Sequence, residues 1–369
     1  MTDTQTTPSR RTLMKGGVAL AATLLAGCGT RSGGKAGEVI VSDGGGSWGR
    51  AQRLAFHEPF MRETGIRVRT VPFVMPGKLR TSIEQKKPVI DVADMGAVDL
   101  PRFVHDGLLT PIDRSAFDPA DLDGLSPVKA SEYAVPALYS AIVLAYRTDI
   151  LGGREPAGWQ DFWNVAAQGG GRSLATGTLG VMGATFPIAL LGDGVAPKDL
   201  YPLDWDRLFR SLDTIKPHIR KFWASGGEPV QMLADRNVVM SSAWNGRIDM
   251  AQAAQTNIRF TWNQALTGAG YWAVPKGAQN QENAFRFMAF ALRPDRQAHF
   301  SELNGYGPAN AAAFKLLSPE RAALMPNSPD ALARSIDGNE AWWAKEDRPG
   351  ETNADLAVRL WEAWVTRNA

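Results

Sequence analysis

Gly45-Gly46-Ser47-Trp48-Gly49 fits G-x-S-x-G, the turn on which α/β hydrolases expose a nucleophilic serine. The chemistry would be acyl transfer, which needs a histidine base and oxyanion donors. The chain has four histidines in all, and the two that could partner Ser47, His218 and His299, lie in no recognisable motif. No HGGG-type segment occurs, and the serine follows the first strand of the body, whereas hydrolase nucleophiles come several strands in. A phosphate loop fails as well, because no Gly-Lys-Ser/Thr follows the glycines. A plain tight turn explains the glycines but leaves Trp48 at its tip without a purpose. A binding loop is therefore the leading expectation, with an exported serine hydrolase on Ser47 as the alternative.

The second chemical group is the only cysteine, Cys28. It closes a segment with a basic start (Arg10, Arg11, Lys15), an apolar middle from Gly16 to Ala26 and a small-residue end. That is the order of an export signal, and the apolar run is too short to span a bilayer, which takes about 20 residues. Arg10-Arg11 before Thr-Leu-Met-Lys resembles a twin-arginine signal, and Leu25-Ala26-Gly27-Cys28 looks like a bacterial lipobox. The expectation is an export signal over residues 1–28, a lipid on Cys28 and a flexible tether over 29–37. An ordinary signal whose cysteine is cut away is the competing one. The body then has no thiol, and with no clustered Cys/His spacing a structural zinc site is not expected.

Aromatic and charged residues at element ends are the remaining candidates. Trp48, Trp244 and Tyr271 fall at predicted strand ends or strand–helix junctions. A single tryptophan is most often core, but several converging at such positions point to a binding cleft. Asp94, ending IDVAD, and Arg247, just after SAWNG, are charges where polar ligand groups would dock, and Asn245 lies in the same stretch.

The elements that must position these residues follow a strand–helix rhythm. EVIVSD (Glu38–Asp43), IRVRTV and VIDVADM read as strands, separated by helices over Arg50–Glu63, with a kink at Pro59, and KLRTSIEQKK. This order predicts a parallel α/β sheet, with ligands beyond the carboxyl ends of its strands. A second α/β unit begins near Val135–Asp149, and LDWDRLFRSLDTIKPHIRKFW reads as one helix bent at Pro217. After the signal about 340 residues remain, more than one core normally serves, so two lobes are expected. Apolar content of 44% and charged content of 21% fit an ordinary globular body, and a net charge of +2 that includes the basic signal gives nucleic acid no basic stripe to bind.

Six segments in order resemble the periplasmic solute-binding proteins of ABC importers, in the group around the spermidine/putrescine-binding protein. They are FMRETGIRV, IDVADMGAVDLPRFVHDGLL, GWQDFWN, VVMSSAWNGR, YWAVPKGAQNQENAFRFMAFALRPDRQA and NGYGPANAAAFKLLSPE. The resemblance runs from about Glu38 to the C-terminal helices. It implies a two-lobed type II binding-protein fold, each lobe a sheet flanked by helices and joined by hinge strands. The implied lobes are 38–142 with about 270–314, and 143–269 with about 315–369.

It further implies that Ser47 and Trp48 lie in the first ligand-contacting loop, that Trp244 stacks on the ligand and that Tyr306 is a cleft tyrosine. The implied protein is a monomer without cofactor or catalysis, which captures a small cationic amine or amino-acid-like solute and delivers it to an ABC permease in the periplasm. A thiamine-like cation is an alternative ligand. The chain departs from the polyamine pattern at Gly96 and Val98, at Gly268 and Gly270, and at Thr178 and Val181, where that pattern places its serine, tyrosine, tryptophan and acids.

Overall fold

The computed structural model describes residues 37–367 apart from 97, 153, 178–182 and 255–256. Arg10, Arg11, Cys28, Thr178 and Val181 lie outside the described residues.

The chain enters through β1 (Glu38–Asp43), whose Val39, Ile40 and Val41 are buried, and β1 pairs in parallel with β2 (Arg67–Pro72). The connection between them is helical, Gly46–Gln52 and Glu58–Thr64, and ends at Gly65 in the left-handed conformation (φ 72°). The kink expected at Pro59 takes the form of a wide helical turn over Arg53–His57, immediately before it. Proline has no N–H to give to the preceding turn, so the ladder there must widen or break.

Seven further strands carry most of the architecture: β3 (Ala93–Met95), β4 (Leu109–Thr110), β5 (Ala134–Arg147), β6 (Arg172–Ala175), β7 (Ile219–Trp223), β8 (Met240–Trp244) and β9 (Ile258–Pro275). Two short ones follow, β10 (Gly307–Pro308) and β11 (Ile336–Asp337). One sheet runs in the order β11-β9-β5-β8-β6-β7, with β3 and β4 added along the end of β9 and β10 along β5. The parallel pairing expected of the first strands is found in β1 with β2 and in the parallel bridge between Val41 and Val92, but it does not extend through the large sheet: there β6 is parallel to β7 and β8 and β11 to β9, whereas β5 is antiparallel to both β8 and β9, and β3 to β9.

The cause lies in β5 and β9, which run through both halves of the molecule side by side. Every residue of β5 is buried. Its Val135, Ala137 and Leu138 join a core with Val39, Phe56, Phe60, Trp272 and Phe287. Its Ile142, Leu144 and Tyr146 join another core, with Trp159, Phe186, Trp223, Trp343 and Trp361. One strand thus serves two cores, the defining feature of a two-lobed body. Burial of Phe56 or Phe60 stabilises the first of these cores, and burial of Phe186 the second, each by about 1.5–3 kcal/mol.

The single bent helix expected through Trp223 ends early. Helix Trp205–Ile215 gives way to one tight turn at Lys216–His218, and Ile219–Trp223 is strand β7, paired in parallel with β6. Pro217 stops the helix here, and the β-branched and aromatic residues beyond it fit a half-buried strand.

Candidate functional site

Trp48 stands in the first turn of the helix Gly46–Gln52 and is half-buried. Its indole meets Phe300 and Tyr306 edge-on, at centroid distances of 5.4 and 5.2 Å. Gly49 is required beneath it, because a Cβ there would collide with the Asp43 carboxylate. Asp43 in turn accepts the Gly45 N–H at 2.7 Å and fixes the loop.

The facing elements come from the end of β8. Trp244 closes that strand, is half-buried and packs against both cores. The helix Asn245–Ala253 starts immediately after it and carries Arg247 in its first turn. Gly246 allows this helix to approach the other half, since a Cβ there would lie 2.5 Å from the Asn304 carbonyl oxygen and from the Tyr306 ring.

Arg247 is where the two sides meet. Its Nη1 donates to Ser47 Oγ at 3.2 Å, and its guanidinium lies against the Tyr306 hydroxyl. Burial pushes the Tyr306 phenol up to about 12, with Arg247 opposing that rise. Gly226, in the loop after β7, leaves room beside Trp244 and Arg247. Arg247 is half-buried and forms no ion pair with a carboxylate among the described residues. A guanidinium so placed, with five N–H donors and aromatic walls, is built to receive a planar anion such as a carboxylate.

Ser47, Trp48, Trp244, Arg247 and Tyr306 are therefore brought together. Ser47 has a cation as its side-chain partner, and His218 and His299 are exposed residues with no bond to it, so neither histidine is placed to activate it. Three other candidates are taken up by the framework. Asn245 is buried, accepting the Ala141 N–H at 3.0 Å and donating to the Gly305 carbonyl at 2.9 Å, and so fixes the helix that bears Arg247. Asp94, expected to take an ammonium group, accepts from the Ser42 hydroxyl on one oxygen and from Trp272 Nε1 at 2.8 Å on the other. Burial raises its pKa to about 6. Tyr271 is buried and donates its hydroxyl to Glu340 at 2.5 Å.

At the positions that depart from the polyamine pattern, Val98 is buried in the second core and Gly96 accepts the N–H groups of Asp99 and Leu100. Gly268 and Gly270 sit where β9 crosses β5, opposite Ser140 and Leu138. Sequence reasoning missed Phe300, which packs edge-on against Trp48 from a helix and stands at no element end.

Two helix-flanked halves, a pair of long strands crossing between them, and an arginine with aromatics where they meet define a two-lobed solute-binding protein. The chain belongs to the bacterial extracellular solute-binding protein family, whose model matches residues 55–327. It is 36% identical to the gamma-aminobutyric acid-binding protein of Pseudomonas aeruginosa, over 82% of this chain and 86% of that one. It is 27% identical to the spermidine/putrescine-binding periplasmic protein of Escherichia coli K12, over 74% and 79%. An ABC transporter substrate-binding protein from Bradyrhizobium japonicum, of known structure, is similar at 32% identity with a TM-score of 0.79, covering 89% of this chain and 99% of that one. These similarities fit the solute-binding expectation and leave the hydrolase alternative without support.

Proposed function

We propose that this protein is the substrate-capturing subunit of an ABC importer, without catalysis of its own, and that its solute is amino-acid-like. The solute's carboxylate pairs with Arg247, and its carbon chain lies among Trp48, Trp244 and Tyr306. The observation that carries this reading is the half-buried Arg247 guanidinium, without a carboxylate partner among the described residues, at the junction of the two lobes. The likeness to a protein named for γ-aminobutyric acid, which bears both a carboxylate and an ammonium, supports it. A diamine has no anion to offer Arg247, so polyamines are the weaker ligand class.

The lobes are assigned as 38–142 with about 270–314 and 143–269 with about 315–369, the hinge lying where β5 and β9 pass from one core to the other. The protein works as a monomer in the periplasm, exported through its Arg10-Arg11 signal and held by lipid on Cys28. Stable anchoring needs two signals such as two acyl chains, which a lipidated N-terminal cysteine supplies. Cys28→Ser should release the protein from membranes, and a wild type that fractionates wholly as soluble would overturn the tether.

The solute reading is tested by thermal shift against γ-aminobutyrate, other amino acids, diamines and sugars. A ligand at 100 times its Kd adds about 2.7 kcal/mol of stability. Amino-acid-like solutes should stabilise the wild type, and Arg247→Met should lose about 100-fold in affinity, or about 2.7 kcal/mol. Stabilisation by diamines or sugars alone, or full binding by Arg247→Met, would contradict it.

A further inference from the structure

The helix Asp99–His105 carries two basic side chains, Arg102 and His105, that the candidate site does not use. It belongs to the first lobe, because its Leu100 and Phe103 are buried with Ile40, Leu79 and Ile83. Val98, the residue before it, enters the other core instead, with Trp343 and Trp361 of the C-terminal segment. That segment belongs to the second lobe, where Trp361 and Trp364 of the helix Asn353–Arg367 pack with Trp223 and Phe186. The helix Asp99–His105 therefore stands against the opposite lobe.

Charges follow the same seam. Arg102 Nε lies 2.5 Å from Oδ1 of Asp355, and the two side chains are 28% and 29% exposed. The Nε–H is not aimed along that contact, so charge holds the pair, not a directed hydrogen bond. His105 Nε2 lies 3.6 Å from Glu346, in the hairpin that precedes the last helix. Each side is anchored in its own lobe. Arg80 pairs with Asp106 at 2.5 Å beside His105, and Asp355 Oδ2 accepts the Thr352 N–H at 3.1 Å and its hydroxyl at 2.6 Å.

A cavity of about 160 Å³ runs beside the pair, between Arg80 and His105 on one side and Gly350 and Thr352 on the other. This part of the seam is thus not closed by packed apolar side chains, and an ion pair here can part without exposing a core. Both charges of the pair already have a protein partner, so no solute is needed to complete them. Ser47 and Arg247 join the lobes in the same conformation, at 3.2 Å, and share no residue with this second contact.

We infer that Arg102 and Asp355 form an electrostatic latch that favours the closed arrangement of the two lobes before any solute arrives. The inference rests on the lobe assignment above. A contact present in the closed form and lost on opening shifts the balance by its own free energy. A partly exposed ion pair is worth a factor of about three in such a ratio, and apparent solute affinity follows the closed fraction.

Residues 29–369 contain no cysteine, so spin labels can be placed on cysteines introduced at exposed lysines. Lys129→Cys with Lys198→Cys spans the lobes, and Lys129→Cys with Lys78→Cys lies within the first. Distances are read by pulsed electron spin resonance on the solute-free mature protein. Arg102→Met should lower the closed-to-open ratio of the spanning pair about threefold. Asp355→Asn, which keeps an oxygen for Thr352, should do the same. The double variant should lower it no further, because each single change already removes the shared contact. Arg102→Glu, which sets an acid against Asp355, should lower it more. Spanning distances that stay at wild type in Arg102→Met and Arg102→Glu, or losses that add in the double variant, overturn the latch. Equal movement of both label pairs overturns the two-lobe assignment instead, because the first lobe would not move as one body.

Discussion

Two arginines act around one helix and do opposite work. Arg321 grips Asp249 of the helix Asn245–Ala253 with two bonds of 3.0 Å, and both side chains are only about 15% exposed. Arg247, two residues before Asp249 on that helix, meets a hydroxyl and a phenol but no acid. Charge type and burial alone do not separate framework from cleft. What separates them is whether the fold supplies the partner, and a charge left short of one is where a ligand completes the structure.

The comparison can be broken first at the arginines. Arg321→Met leaves Asp249 half-enclosed without its partner and should cost about 3 kcal/mol in chemical unfolding. Arg247→Met should change stability by less than about 1 kcal/mol, because it removes no ion pair. Equal losses would erase the distinction.

The next effect is titration within the framework. His57 is buried against Phe287 at a ring distance of 5.8 Å, and burial lowers its pKa to about 4. Its unfolded value is higher, so its neutral form stabilises the protein above pH 6.5, and that contribution is lost as pH falls towards 4. Relative to His57→Gln, wild type should lose about 3 kcal/mol between pH 7 and pH 4.

Asp94 has the opposite sign. Its raised folded pKa contributes stability below pH 4 that is lost as pH rises through about 6. Relative to Asp94→Asn, wild type should lose stability between pH 4 and pH 7, by up to about 3 kcal/mol. Parallel slopes for the two variants would refute the burial argument for one of them.

The smallest effect concerns Ser47. Ser47→Ala removes one hydrogen bond to Arg247 and should weaken solute binding by about 1 kcal/mol. Covalent labelling of Ser47 by a fluorophosphonate would show instead that it is a nucleophile.

Local pattern made the first strands legible. The apolar run of β1 and the turn at Gly65 read directly as structure. The antiparallel crossing of β5 and β9 could not be read, because strand direction depends on partners distant in the chain. β9 was further masked by Gln264, whose positive φ of 58° interrupts an otherwise continuous strand. The cleft shows the same limit. Trp48, Trp244 and Arg247 stand at element ends and could be picked out by type and place, whereas Tyr306 came only from the family resemblance. Asp94 and Asn245 occupy equally suggestive places, and the sequence did not show that Trp272 and Gly305 take up their polar atoms.

A crystal structure of the protein with its bound solute would decide whether Arg247 receives a carboxylate. A carboxylate should lie about 3 Å from the Arg247 guanidinium nitrogens, with Trp48 and Trp244 against the carbon chain. A solute without a carboxylate, or one whose carboxylate lies away from Arg247, would contradict it.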